Sequence, residues 1–124
     1  MKRIAIGLAW CALASAASAA GASFSCGGVG AGDQERMKAQ AAGHDMLVTF
    51  ASTTGAYVAD VDVRITSGRG DVVLQGHCGG PLMLVDLSGK GSYDIAATFA
   101  GKTQHKSVTV DAKPARVTFV WAAS

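Results

Sequence analysis

Residues 59–66 read Ala-Asp-Val-Asp-Val-Arg-Ile-Thr, and this stretch decides the fold class. Its larger apolar residues, Val61, Val63 and Ile65, alternate with charged or polar residues. An alternation with a period of two residues is typical of a β-strand that buries one face and exposes the other. The stretch therefore predicts a half-buried strand.

Six further segments carry a strand signal, either the same alternation or a short apolar run bounded by turn residues. They are residues 46–50, 72–74, 82–85, 93–99, 102–110 and 117–121. Turn residues separate the strands at intervals of about 8–12 residues, and Ala100-Gly101 is read as a two-residue hairpin turn. This pattern predicts an all-β fold, a seven-stranded antiparallel Greek-key β-sandwich.

One short N-terminal helix is expected before these strands. Asp33 stands where an N-cap belongs, and Gly43 closes the run of helix formers that follows it. Met37 and Ala41 are four residues apart and form a thin apolar stripe, so this marginal helix needs a surface to dock against. The glycine-rich residues 27–32 are interpreted as a flexible leading loop.

The first 19 residues have the three parts of a signal peptide. Residues 2–3 are Lys-Arg, residues 4–13 are an apolar run, and residues 17–19 are Ala-Ser-Ala, a cleavage pattern. The apolar run is shorter than the ~20 residues that a membrane-spanning helix needs. A lipoprotein signal with Cys11 as the lipidated residue is the alternative, and the bulky Trp10 argues against it. We expect a periplasmic or secreted protein, cleaved after residue 19 and without a membrane span.

The predicted organisation is therefore a signal peptide (1–19), a glycine-rich leading segment with a short helix (20–45), and one β-sandwich domain (46–122). Removing Lys2 and Arg3 with the signal peptide leaves nine cations against nine anions. Zero net charge gives no electrostatic case for nucleic acid as a partner. A mature chain of about 105 residues has room for one domain with a modest core.

Cys26 and Cys78 are the two cysteines of the mature chain. An even count in an oxidising compartment favours a disulfide between them. That bond would close a loop of about 50 residues and contribute about 4 kcal/mol in the chain-entropy model. Free thiols, an intermolecular bridge and a metal site that includes His77 are the alternatives.

Several stretches together resemble the carboxypeptidase regulatory-like domains. They are Asp-Val-Asp-Val-Arg-Ile at 60–65, Gly80-Pro81, Leu-Ser-Gly-Lys-Gly-Ser-Tyr-Asp-Ile at 87–95, and Gly-Lys-Thr at 101–103. The segments 27–30 and 47–51 are similar to a small exported bacterial subgroup. The resemblance implies a transthyretin-like (prealbumin-like) seven-stranded sandwich that is generally non-catalytic. Two features depart from the family pattern, namely the turn at 88–91 and the cysteine pair.

The motifs of the common enzyme classes do not appear in the sequence. The glycines of residues 28–32 lack the spacing of a dinucleotide or P-loop site, and no Gly-x-Ser-x-Gly elbow occurs. Asp60 and Asp62 could suggest a pair of catalytic carboxylates, but a half-exposed strand explains both residues. The C-terminal sequence lacks the ending of the transthyretin-like purine-pathway hydrolase. Histidines and cysteines lack metal-ligand spacing. We expect no enzyme activity, no cofactor and no metal.

The expected function is a structural or protein-interaction module, because edge strands of a sandwich offer backbone groups for strand addition. Its partner would be an unknown protein of the cell envelope or a second copy of the chain. The alternative is a periplasmic binding protein for a small molecule, sugar or metal. Candidate contact residues are Tyr57, Gly80, Pro81 and Trp121, although Trp121 shares its strand parity with Val117 and Phe119, which favours burial.

Overall fold

The computed structural model describes residues 22–122. The predicted signal peptide, residues 1–19, lies outside the described residues. Eight strands and one helix make up the described chain. The strands are β1 (Ser23–Gly27), β2 (Met46–Ser52), β3 (Val61–Ser67), β4 (Val72–Cys78), β5 (Leu82–Asp86), β6 (Gly91–Phe99), β7 (Lys102–Val110) and β8 (Ala115–Trp121). Helix α1 (Ala31–Gln40) continues into a 3₁₀ turn (Ala41–Gly43).

The strands form two four-stranded sheets that enclose one hydrophobic core. The first sheet has the order β1-β5-β2-β8 and the second has the order β4-β3-β6-β7. Both sheets supply fully buried side chains to the core, among them Phe50 and Phe119 from the first and Ile65 and Ile95 from the second. The chain is therefore mostly β, as its alternating pattern predicts.

The alternating sequence of strand β3 matches its place in the second sheet. Val61, Val63 and Ile65 are buried, while Asp62 and Arg64 between them are exposed. β3 pairs with β4 on one side and with β6 on the other, both antiparallel. The predicted half-buried strand is confirmed at its apolar positions.

Two features of the sheets differ from the sequence prediction. β1 is an eighth strand inside the segment that was assigned only a loop and a helix, and it pairs antiparallel with β5. β2 and β8 are parallel, with Met46 opposite Ala115 and Ser52 opposite Trp121, so the sheets are not wholly antiparallel. Side-chain alternation reports which face of a strand is buried, and it carries no information on the direction of the neighbouring strand.

Helix α1 covers the outer face of the first sheet. Met37 and Ala41 are buried against three leucines of that sheet, Leu47, Leu82 and Leu84. These leucines are the docking surface that the apolar stripe of the helix requires.

The helix begins earlier than expected, because Gly30 is its N-cap and Asp33 lies in the first turn. The Asp33 carboxylate instead accepts the backbone N–H of Gly28 at 2.5 Å and pairs with Arg36. The bond from Gly28 is the main cause of a lowered pKa of Asp33, and the bond from Arg36 adds to it.

Covalent and hydrogen bonds connect the sheets at both of their open corners. Cys26 and Cys78 form a disulfide that joins β1 to β4, the pairing favoured by export. At the other corner, the Trp121 indole N–H donates to the Lys102 carbonyl at 3.1 Å, and the Gln104 amide donates to the Val120 carbonyl at 2.6 Å. Across residues 22–122, none of the helical structure has the length and apolar character to cross a membrane.

Candidate functional site

Three of the four candidate contact residues are buried. Trp121 is 3% exposed and packs among Phe50, Phe99 and Phe119 with ring centroids 5.5–6.3 Å apart. Its strand parity indicated this burial. Its polar edge is also occupied by the bond to β7. Trp121 is therefore a core residue, and it presents no surface to a ligand or partner.

Gly80 and Pro81 are buried as well. The backbone of Gly27 lies so close to Gly80 that a Cβ there would be 2.9 Å from the Gly27 Cα. The carbonyl of Pro81 accepts the N–H of Phe50 at 2.9 Å. Gly80 and Pro81 thus contact the strands beside β5, and their part in contacts with a ligand or partner stays a prediction.

Tyr57 is the one exposed member of the set, at 38%. The Lys38 ammonium donates to its hydroxyl at 3.0 Å and lies 5.7 Å from the ring centroid. Its backbone forms a bridge with Ala51 of β2. Tyr57 thus connects helix α1 to the loop after β2.

An array of polar side chains lies on the outer face of the second sheet. We call it the polar face. Strand pairing arranges it in rows: His77, Asp62, Thr98 and Thr103 form one row, and Gln75, Arg64, Ala96 and His105 form the next. Asp94 and Ser107 continue it along β6 and β7. Unlike the first sheet, this sheet is covered by no helix within residues 22–122.

A depression of about 420 Å³ opens on the polar face. Ala96 lies at its floor and is only 7% exposed. Longer side chains surround it, including Arg64, Gln75 and His77. The small residue in the middle of the sheet therefore creates a concave surface with charged walls.

His77 stands between two carboxylates at the rim of this depression. Its Nδ1 is 2.8 Å from Asp62, directly opposite it on β3, and its Nε2 is 3.3 Å from Asp60. The hydrogen bond to Asp62 is the main cause of a raised pKa of His77, and the bond to Asp60 adds to it. Asp60 has a φ of 62°, a conformation that non-glycine residues seldom adopt, and it lies just before β3 begins.

Two other cross-strand contacts hold four more side chains of the polar face. The hydroxyls of Thr98 and Thr103 are 2.7 Å apart, and His105 Nδ1 is 3.3 Å from Asp94. Such pairs across neighbouring strands hold side chains in register. The Asp62 and Asp94 carboxylates of the polar face, together with Asp60 beside His77, outnumber the one guanidinium of Arg64.

Each of the histidines in the described residues is paired with an aspartate. In residues 22–122, His44, His77 and His105 are each hydrogen-bonded to aspartate, and none is bonded to a Ser, Thr or Cys nucleophile. Within the same residues, no three His, Cys, Asp or Glu side chains are placed to hold a metal ion. Both ring nitrogens of His77 are already engaged by separate carboxylates.

No protein-family model matches this chain, and no curated protein matches it significantly. The resemblance to carboxypeptidase regulatory-like domains therefore stays a prediction from the residues that carry it.

The sequence indicated part of the polar face. The alternation of β3 places Asp62 and Arg64 on the outer side, and those two residues are exposed in the structure. The sequence carried no signal for His77 as the partner of Asp62, because that pairing depends on the register between β3 and β4. A bulge between Ile65 and Thr66 shifts the register within that pair of strands.

Proposed function

We propose that this chain is an exported, non-catalytic protein-interaction module with the Greek-key, transthyretin-like sandwich of the carboxypeptidase regulatory-like domains. Its partner binds the polar face. The observation that carries this proposal is the asymmetry of the two sheets: helix α1 covers the outer face of the first, and the second presents an ordered polar array to solvent.

The links at the sheet edges favour binding of a partner to the polar face over addition of a partner strand to an edge. β1 and β4 are edge strands, and the disulfide links them at their shared corner. β7 and β8 are the other two edge strands, and the side chains of Gln104 and Trp121 bond across them. A strand added at either corner would have to displace or bypass these links, whereas the polar face needs no rearrangement.

The charge of the polar face favours a basic partner segment. The Asp60, Asp62 and Asp94 carboxylates face solvent with the Arg64 guanidinium and several hydroxyls, and His77 balances part of the negative charge when it is protonated. Charge complementarity directs encounter and suppresses wrong partners. We therefore expect the partner, a protein of the cell envelope, to contact the polar face through lysine or arginine side chains.

Site-specific photocrosslinking tests this proposal. A photoreactive residue replaces Thr103 on the polar face or, as the matched control, Thr118, which is exposed on β8 of the first sheet. We expect an adduct of one defined mass from position 103 in the native compartment, and none from position 118. Ala96→Arg should abolish this adduct, because it fills the depression and adds a positive charge.

Two results would overturn the proposal. One is an equal yield of the adduct from positions 103 and 118. The other is an adduct at position 103 that Ala96→Arg leaves unchanged while the variant keeps the melting temperature of the parent chain.

A further inference from the structure

We propose that two turns at one end of the strands form a binding site for a monosaccharide that carries an oxyanion, either phosphate or carboxylate. The turns are residues 67–71, between β3 and β4, and residues 88–91, before β6. They line a depression of about 480 Å³. The directions of β3, β4 and β6 place this site at one end of the strands, and the loops that contain Tyr57 and Pro81 lie at the other end.

Each turn contributes one cation to the depression. Arg69 comes from the first turn and Lys90 from the second. Within residues 22–122 neither forms an ion pair. Asp71 also lines the depression, which leaves two cations against one carboxylate in a mature chain whose cations and anions balance. Arginine binds planar oxyanions through paired N–H groups, and lysine adds a point charge.

Backbone and side-chain bonds hold both turns in place. In the first, the N–H of Ser67 donates to the Asp71 carbonyl at 2.8 Å, and the N–H of Gly70 donates to the Ser67 carbonyl at 2.9 Å. In the second, the Tyr93 hydroxyl donates to the Gly89 carbonyl at 2.6 Å. The backbones of both turns are thus organised before a ligand arrives, which lowers the entropic cost of binding.

The two turns also lie against each other. A Cβ on Gly68 would be 3.3 Å from the Ser92 carbonyl oxygen, and Ser67 pairs with Tyr93 between β3 and β6. The positions of the two turns relative to each other are therefore constrained by the sheet.

The volume of the depression and the hydroxyl groups that line it favour a sugar over a bare ion as the ligand. A depression of about 480 Å³ is much larger than an inorganic anion needs and falls within the range of small-molecule pockets. The hydroxyls of Ser67, Ser88 and Ser92 line it and make no hydrogen bond within the described chain. They and the Asp71 carboxylate are suitable partners for sugar hydroxyls.

This site lies beyond the proposed protein-interaction function. None of its lining residues belongs to the polar face, so either proposal can fail while the other stands. Variants at Arg69 and Lys90 leave the polar face intact, and Ala96→Arg leaves the two turns intact.

Backbone amide NMR on the mature chain is the test, with glucose 6-phosphate, glucuronate, glucose and inorganic phosphate as probes. We expect saturable shifts at Gly68, Gly70 and Gly89 with one or both charged sugars. The larger affinity identifies the oxyanion as phosphate or carboxylate. Glucose should give no saturable shift. The double variant Arg69→Gln/Lys90→Gln should weaken binding at least tenfold, and Lys102→Gln, at the other end of the strands, should not.

Several outcomes would overturn the proposal. If glucose binds as tightly as the charged sugars, the oxyanion does not contribute to binding. Inorganic phosphate that gives the same shifts with the same affinity means an adventitious ion only. Binding that the double variant retains, with its spectrum otherwise unchanged, places the site elsewhere. Shifts that stay absent up to millimolar concentrations of both charged sugars mean that there is no site.

Discussion

The ring of Phe24 occupies the space that a side chain at Gly76 would need. A Cβ on residue 76 would lie 2.7 Å from the Cε1 atom of that ring. Two residues further along each strand, Cys26 and Cys78 form the disulfide. β1 is therefore fixed to β4 twice, by an aromatic ring over a glycine and by a covalent bond.

Gly76→Ala should destabilise the fold, because the added methyl group overlaps the Phe24 ring. Overpacking of this kind costs about 1–3 kcal/mol. Urea denaturation of the mature chain measures the loss. Gly79→Ala is the matched control, since a Cβ there meets nothing within 4 Å. Equal midpoints for the two variants would show that the ring moves aside without cost.

Loss of the disulfide should lower the free energy of unfolding by about 4 kcal/mol, because the bond closes a loop between residues 52 positions apart. The double variant Cys26→Ser/Cys78→Ser, compared with the parent chain with and without reductant, measures this. The reduced parent and the variant should unfold at similar denaturant concentrations. Alkylation of both cysteines in the unreduced, folded parent would contradict the bond.

The pKa of His77 should lie above its ordinary value of 6.5 and should fall in Asp62→Asn, because the carboxylate that stabilises the imidazolium is lost. Asp60→Asn should lower it less, since the bond to Asp62 is the larger cause. NMR titration of the imidazole measures both shifts. Asp94→Asn is the control, because Asp94 contacts His105 in place of His77. A His77 titration that is unchanged in Asp62→Asn would contradict the contact.

The sign of the pH effect on stability follows from that direction. A histidine whose pKa is raised by folding stabilises the folded chain fully below the unfolded value of about 6.5. That contribution disappears as the pH rises through the higher, folded-state pKa. The His77 contribution, taken as the difference between parent and Asp62→Asn in denaturation series at several pH values, should therefore be larger at pH 5.5 than at pH 8.5.

Asp33 should stabilise the fold in the opposite pH direction. Its pKa lies below the ordinary 3.8 in the folded chain, so its contribution is present above that value and is lost as the pH falls through the folded pKa. Asp33→Ala should lower the melting temperature at pH 7 and flatten the loss between pH 4 and pH 2. Glu35→Gln, on the exposed side of the same helix turn, provides the comparison. Identical acid profiles for the parent chain and Asp33→Ala would exclude this role.

The predictable part of the fold is the part with a strong local pattern. The alternation at Val61, Val63 and Ile65 indicated which face of β3 is buried, and the alternation of Val117, Phe119 and Trp121 did the same for β8. β1 escaped prediction because only Phe24 and Cys26 alternate within its five residues. Its place depends on β5, on β4 and on the disulfide, which are remote in sequence.

The candidate sites depend on pairings that no local pattern encodes. His77 meets Asp62 across β4 and β3, and Arg69 and Lys90 line one depression from turns on either side of β4 and β5. The residues of each turn were visible as turns, but their proximity follows from register and sheet order. The burial of Gly80 and Pro81 likewise follows from contacts with Gly27 and Phe50 on other strands.

The parallel pairing of β2 with β8 sets the order in which the chain can be completed. β8 is the last strand of the described residues, and it lies beside the first strand after the helix. The first sheet therefore cannot close until residues 46–52 and residues 115–121 have met, and contacts between such distant segments form slowly.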